Sequence, residues 1–590
     1  MQHLTRPMQH LNKGEPVEEI DHGRIDPIRK EAGPILEHII DEFLGDRVTR
    51  RDFMRRATMY GMSIPVAGTI LAARGGSLAA HEKPLVERTG TAPRRAAASG
   101  ATINAGMIVP ATALDPILIE DQGGLEVLGN IGEFLVFADQ QLKYHPWLAT
   151  SWKSNADATV WTFKIRQGVK FNNGKPMTVD DVVYSFKSQA NPTTGGNALS
   201  VFGGTLNPDG VRKVDHETVA FHLEAPDASF VDACSEDNYN MIIVPNGYDY
   251  SNYHKVGPGF IGTNKFKMQS FSPESGCVLI RNPHHWGSAA KPEKVVVTFY
   301  DNESPMASAL EAGSIDVMDQ FTFAISPQIL SGNFNIIKLK CALQRQLSMR
   351  CDIHPFTNKY VRQAIAFTLN RPAIIKALFN DLAVIGNDNP FYPGFPSYDH
   401  SVGQRSMTLK KAKELLAKGG VPRGFSTPLL TETTQEIPDL AEIVQRSAAQ
   451  IGVDITLTIE SPDKYYGDGT FGKSDWLDGE MSLVDYGARS VPNLYLEAPL
   501  QTTNKKTGAG AWNAAHFNNP TYDKLSRQFV AAADLSDQRK LAGKIETLLL
   551  DETPIIFPYF YDYLCATAKN VHGVYPTGQA QLFLWNTTKS

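Results

Sequence analysis

The chain reads as an α/β protein of at least two lobes, and three observations carry that expectation. Its 590 residues exceed what one hydrophobic core organises, because cores stop growing at about 250–300 residues. Between residues 346 and 559, amphipathic helical patterns alternate with strand-like runs, as in an α/β layer. Between residues 146 and 223, short extended runs punctuated by turn residues read as hairpins around a single helix.

Composition narrows the class. A hydrophobic fraction of 42% is ordinary for a globular protein. The formal net charge of −6, with no basic patch interleaved with aromatics, argues against nucleic acid and against a polybasic membrane surface. The lysines at 410, 411 and 413 sit on a helical pattern and read as a solvated face. The five cysteines (Cys234, Cys277, Cys341, Cys351, Cys565) are odd in number and show neither a C-x-x-C nor a zinc-ligand spacing. Cys341 and Cys351 alone are close in sequence, and buried free thiols are the reading preferred over a bridge.

The block Pro146–Phe186 is the richest stretch. Val160, Phe163 and Ile165 lie in a short extended run. Asn172-Asn173-Gly174 supplies a turn, since Asn and Gly tolerate positive φ. Thr178 is placed to cap a helix, with Asp180 and Asp181 in its first turn and Val182, Val183 and Phe186 on its face. Lys213–Leu223 follows as a second strand pair turning at Asp215-His216, and Lys294–Tyr300 as a clean strand. Met306–Leu310 is helical, with Gly313 as its stop and a strand from Ile315-Asp316. Arg345–Asp352 and Pro554–Cys565 read as strands that cross between lobes. Helices are expected at Val361–Leu369, Leu409–Lys418 and Asp439–Gln450, and a strand at Val453–Ile459.

The wording of these pieces is more specific than their physics. The order PWLATSW, RQGVKF, NGKPMTVDDV resembles the signature of the family 5 extracytoplasmic solute-binding proteins, receptors of ABC importers for peptides, nickel and opines. Leu114-Asp115-Pro116, the Gly132-Glu133-Phe134-Leu135 helix end, CVLIRNPHHW, and Val361-Arg362-Gln363-Ala364-Ile365 with Asn370-Arg371 extend the resemblance from about residue 102 to 574. It implies the two-lobe periplasmic-binding-protein fold (type II, cluster C-like) with an extra subdomain in the N-terminal lobe. Lobe I is then expected at 101–345 plus 560–590, with the extra subdomain at about 133–257, and lobe II at 346–559.

At the amino end, Thr49-Arg50-Arg51-Asp52-Phe53-Met54-Arg55 resembles a twin-arginine export motif, in which Arg50, Arg51 and Phe53 carry the signal. The uncharged run Ala57–Ala73 follows; it contains Gly61, Pro65 and Gly68 and is shorter than the roughly 20 residues of a membrane span. Residues 1–100 are therefore read as extension, signal and linker, with a helical segment at Pro34–Leu44 and cleavage candidates at Ser77-Leu78-Ala79 and Ala96-Ala97-Ala98. No lipobox cysteine follows, so a soluble periplasmic protein is expected, a monomer whose partners are a ligand, an inner-membrane ABC permease and, during export, the twin-arginine translocase.

For the site, Ser482–Asn493 runs from a strand into a Gly- and Pro-containing loop carrying Asp485, Tyr486 and Arg489. It resembles the family's W-x-G-R-x-D-P-D segment at the cleft mouth, with Tyr486 in place of the tryptophan and Val491 in place of the first Asp. The resemblance implies that Asp485 meets a ligand amine and Arg489 a ligand carboxylate, the latter through paired hydrogen bonds. Trp512 and Asn513 resemble the family's W-N segment near the same cleft; Glu133 and Phe134 are expected to face it from lobe I. A short peptide or small amino-acid-derived zwitterion is the expected guest, with metal chelates, opines and oligosaccharides open. No enzyme motif, cofactor or metal set is found, and a secreted hydrolase is the rival reading. Gly467–Ser474 matches the phosphate-loop pattern G-x-x-x-x-G-K-S. Asp475-Trp476-Leu477-Asp478-Gly479 after it cannot start a long apolar-faced helix, so a solvent-facing loop is expected. His284-His285, on a strand, would point to opposite faces and not share an ion.

Overall fold

The computed structural model describes residues 25–29, 34–45, 48, 53–54, 56–57, 62, 64–73 and 100–590, apart from 111–113, 120, 195, 203, 250–258, 324–325, 468 and 505–508. The chain forms two compact units, one of described residues 25–73 and one of residues 100–590.

In the first unit the expected helix spans Pro34–Leu44, and a second helix covers Ile64–Ala73. Phe53 is buried and its ring stacks on Phe43 at 4.4 Å. Arg56 makes a buried ion pair with Glu42. Arg50 and Arg51 lie outside the described residues. Among the described residues, no helix is long and apolar enough to cross a membrane.

The second unit is built on one continuous mixed sheet of twelve strands. Thr102–Ile108 runs parallel to Lys294–Tyr300 and to Val317–Gln320; Gly276–Arg281 and Phe266–Ser272 extend that side antiparallel. On the other side Phe425–Glu432 runs parallel to Val453–Glu460 and to Met481–Tyr486. Two long strands join the sides. The outgoing strand Phe334–Met349 pairs with the return strand Tyr559–Ala568 from Phe334↔Ala568 to Gln344↔Phe560. Its last residues, Gln344–Met349, also pair with Met481–Tyr486. The lobe boundaries expected at 345 and 559 fall in or beside these strands.

A separate four-stranded antiparallel sheet holds Ala149–Ser154, Val160–Ile165, Thr218–His222 and Val211–Lys213, inside the interval expected for the extra subdomain. The helix Val179–Gln189 covers it, and its start is fixed as the sequence predicts: Asp181 Oδ2 accepts from Thr178 N at 2.6 Å and from Thr178 Oγ1 at 2.9 Å. Its core is aromatic, with Phe221 4.6 Å from Phe186, 5.3 Å from Phe230 and 5.4 Å from Phe163 between centroids.

The helices of the second side appear at Lys359–Ala366, Leu409–Lys418 and Ile437–Ala449. All five cysteines are free thiols. His284 and His285 differ from expectation: they occupy the turn after the strand Gly276–Arg281, not the strand itself. His285 Nε2 lies 3.3 Å from Glu133 Oε1.

A buried charge triad pins the return strand to the 387–405 loop. Asp388, fully buried, accepts from Arg371 Nη2 at 2.6 Å and Arg405 Nη1 at 2.7 Å, and its Oδ1 takes Phe557 N at 3.1 Å. Removing one partner of such a cluster strands the others without solvent. Asp388→Asn therefore costs roughly 3–5 kcal/mol of stability, read from the urea midpoint; a shift below about 1 kcal/mol would show that the two guanidiniums do not need the carboxylate.

Candidate functional site

Parallel strands with their carboxyl ends on one edge leave a crevice there, which is where α/β proteins bind small molecules. Phe425–Glu432 and Met481–Tyr486 are parallel, so Glu432 and Tyr486 end on the same edge. The outgoing strand enters beside them, with Arg345 opposite Asp485 and Gln344 opposite Tyr486.

Cross-strand partners share a face, so Arg345 and Asp485 meet. Arg345 is fully buried. Its Nε lies 2.9 Å from Glu436 Oε1, and its Nη2 donates to Glu436 Oε2 at 3.0 Å and to Gln435 Oε1 at 2.7 Å. Its Nη1 donates to Asp485 Oδ1 and to Tyr561 Oη, and the guanidinium carbon sits 4.5 Å over the Tyr561 ring. Tyr559 Oη donates to Glu436 Oε1 at 2.8 Å. One cation is thus shared by two carboxylates. Of the three charged side chains only Asp485 reaches solvent, at 36% exposure against 0% for Arg345 and Glu436. Burial pushes the Asp485 carboxyl up, opposed by the Arg345 charge. Glu432 lies close by and is pushed up to about 7, by burial first and by the Asp485 charge second; Tyr466 and Thr434 hydroxyls donate to it.

On the other face of the Met481–Tyr486 strand lies an aromatic cluster. Tyr486 stacks on Trp512 at 5.7 Å and 24°, with Tyr495 at 5.3 Å and Trp476 at 6.4 Å. The Tyr486–Trp512 pair is the one the sequence brought forward from two separate segments.

The loop after Tyr486 reaches segments from the other side of the sheet. Ser490 N donates to Asp237 Oδ2 at 2.7 Å. Arg489 Nη1 donates to Gln579 Oε1 and to Ala488 O at 3.2 Å, and its guanidinium carbon is 5.0 Å over the Tyr239 ring. Arg489 is 8% exposed. Its guanidinium is engaged with protein rather than held out for a carboxylate.

Three other expected residues turn inward. The Asn513 amide closes its own loop, donating to Gln501 O at 3.0 Å and Phe517 O at 2.8 Å and accepting from Phe517 N at 2.9 Å. Glu133 is fully buried; Trp147 Nε1 donates to it at 2.6 Å and Trp286 Nε1 at 3.1 Å. Phe134 is also fully buried, its ring 5.9 Å from Trp147. A carboxylate bracketed by two indole N–H groups is a core fixture, so Glu133 and Phe134 do not face the crevice.

The phosphate-loop match is a loop followed by a helix of four residues, Asp475–Asp478. Its amides already serve an internal carboxylate, with Gly472 N donating to Asp478 at 2.8 Å and Ser474 N at 3.3 Å. Among the described residues, no group of three or more His, Cys, Asp or Glu side chains could hold a metal ion.

Arg345, Glu436, Gln435, Tyr561 and Gln579 escape sequence reasoning because the pairs lie 90 to 216 residues apart and no short motif links them.

A family model for bacterial extracellular solute-binding proteins, family 5 (Middle), matches residues 143–507. The dipeptide-binding protein DppE of Bacillus subtilis is 25% identical over 502 residues, covering 80% of this chain and 89% of its own length. Heme-binding protein A of Haemophilus influenzae is 24% identical over 443 residues, covering 70% and 78%. The solved structure of the ABC transporter-associated periplasmic binding protein DppA from Helicobacter pylori, in complex with the peptide STSA, superposes with a TM-score of 0.72 at 23% identity. That match covers 83% of this chain and 98% of the other. With a matched model spanning most of the chain and a shared two-lobe fold, this protein belongs to the bacterial extracellular solute-binding proteins of family 5.

Proposed function

We propose that this protein is the periplasmic receptor of an ABC importer and that it captures a short peptide or a small amino-acid-derived zwitterion between its lobes. One observation carries the ligand class: two carboxylates share the Arg345 guanidinium, and the surplus negative charge surfaces only at Asp485. The solvent-facing side of Asp485 is open to accept from an ammonium of the guest. The stacked Tyr486 and Trp512 rings at the end of the same strand offer a surface to the guest's apolar part. Asn513 shapes the loop that presents Trp512.

Arg489 acts on closure. It and Ser490 join the cleft loop to Asp237, Tyr239 and Gln579. A guest holds the clamshell shut only through contacts that differ between open and closed states, and this contact adds to them. The permease then reads the closed form, without any bond being broken. The export segment fits this address, with Arg50 and Arg51 as the pair recognised by the twin-arginine translocase and the folded protein delivered as a monomer. DppE and the DppA–STSA complex favour the peptide reading; heme-binding protein A marks the width of the family.

Mass spectrometry of the guest that co-purifies with the protein tests the class directly; an amine-bearing small peptide or zwitterion is expected, and a guest without a basic nitrogen would overturn the assignment of Asp485. Affinity for that guest should rise between pH 6 and pH 8. Glu432 loses its proton near pH 7 and adds negative charge beside Asp485, while below that pH the proton removes it. Glu432→Gln should flatten this dependence in calorimetric titrations, and an unchanged slope would remove Glu432 from the site. Arg489→Ala should weaken retention roughly tenfold through faster release with little change in thermal midpoint; wild-type release would refute the closing contact. Replacing Arg50 and Arg51 together by lysine should leave precursor in the cytoplasm, as judged by fractionation, and normal export would refute the address.

A further inference from the structure

The first unit sets the chain ahead of the arginine pair against the chain behind it. The helix Pro34–Leu44 lies ahead. Its buried residues Ile39, Ile40 and Phe43 recur at helical spacing and form one apolar face. At eleven residues it is too short to persist alone in water, so packing holds it. The packing partner lies behind the pair. The Phe43 ring stacks on Phe53 at 4.4 Å and 23°, and the Glu42 carboxylate takes the Arg56 guanidinium. All four residues are buried. So are Met54 and Ala57 between and beside them, and Ala67 and Ile70 of the helix Ile64–Ala73. The helix is fastened from its other flank as well, with Arg29 Nη2 2.6 Å from Asp41 Oδ1. Adjacent positions on one helix therefore give a ring to a ring and an acid to a base. The match is one of shape and of charge together.

On the address proposed above, the segment held in this way is the one that the translocase takes up. A signal acts by presenting its apolar run to a receptor, and side chains already removed from water within their own chain have lost that driving force. An address alone needs neither the ring at 43 nor the acid at 42. We propose that the helix Pro34–Leu44 is a cover for the export segment, an internal competitor that the translocase has to displace. The proposal rests on the twin-arginine address and is independent of the guest. Covered and uncovered precursor interconvert, and only the uncovered fraction engages the translocase, so the apparent affinity falls by that fraction. The consequence is delay. Slower capture leaves time for residues 100–590 to fold before the chain is exported.

The test uses the purified full precursor and inner-membrane vesicles that contain or lack the twin-arginine translocase. Glu42→Gln combined with Phe43→Ala removes both contacts and leaves residues 49–55 unchanged. This double variant should bind the translocase vesicles about tenfold more tightly than wild type. Tryptic cleavage after Arg56 should also be about tenfold faster, because the site opens more often. Phe43→Tyr keeps a ring to stack and should match wild type in both readouts. Equal cleavage of wild type and double variant would overturn the cover, as would vesicle binding that is unchanged or weaker in the double variant. Each protein is compared with its Arg50→Lys, Arg51→Lys form. If those replacements abolish binding while wild type and double variant bind alike, the address stands and the cover alone falls. If binding is indifferent to the arginine pair and to the translocase, the address falls and the cover with it.

Discussion

The cleft depends on a single guanidinium. Arg345 sits where the outgoing strand passes between lobes, and it gathers Gln435 and Glu436, Asp485, and Tyr561 from three separate segments. Its own burial demands those partners, since an unpaired charge without solvent is costly by several kcal/mol. The Arg345 charge in turn opposes the burial that pushes the Asp485 carboxyl up. The network holds the ends of the lobe II strands at a defined distance from the hinge, so the position of the Tyr486–Trp512 wall follows from it.

The same arrangement separates structural from receptive polarity. Glu436 is wholly enclosed and takes hydrogen bonds from Tyr559 and Arg345; Asp485 keeps one side toward solvent. Asp388 between Arg371 and Arg405 is the enclosed counterpart, with two cations on one carboxylate. Glu133, between two indoles, is matched within the chain.

On the proposed function, the contact between the loop after Tyr486 and Asp237, Tyr239 and Gln579 belongs to closure. It is small and polar, the kind of contact that forms and releases without rearranging either lobe's core. The twelve-stranded sheet continues through the two long strands, so motion between lobes is bending across those strands and not separation of independent domains.

Much of this fold was legible in the chain. Thr178 with Asp181, the strand Lys294–Tyr300 and the helix Leu409–Lys418 are local patterns, set by capping, β-branching and helical periodicity within a dozen residues. The motif order carried the family. The site was legible only in part: Tyr486 and Trp512 stack on each other, whereas Glu133, Phe134 and Asn513 turn into the core and Arg489 bonds to Gln579. No local signal distinguishes a carboxylate aimed at a cleft from one bracketed by tryptophans, because that depends on residues 14 and 153 positions away. The sequence by itself determined the elements and the lineage; tertiary structure alone decided which polar groups would be satisfied inside and which left for a guest. Hydrogen bonding and burial are properties of assembled surfaces, and they exist only once distant strands have paired.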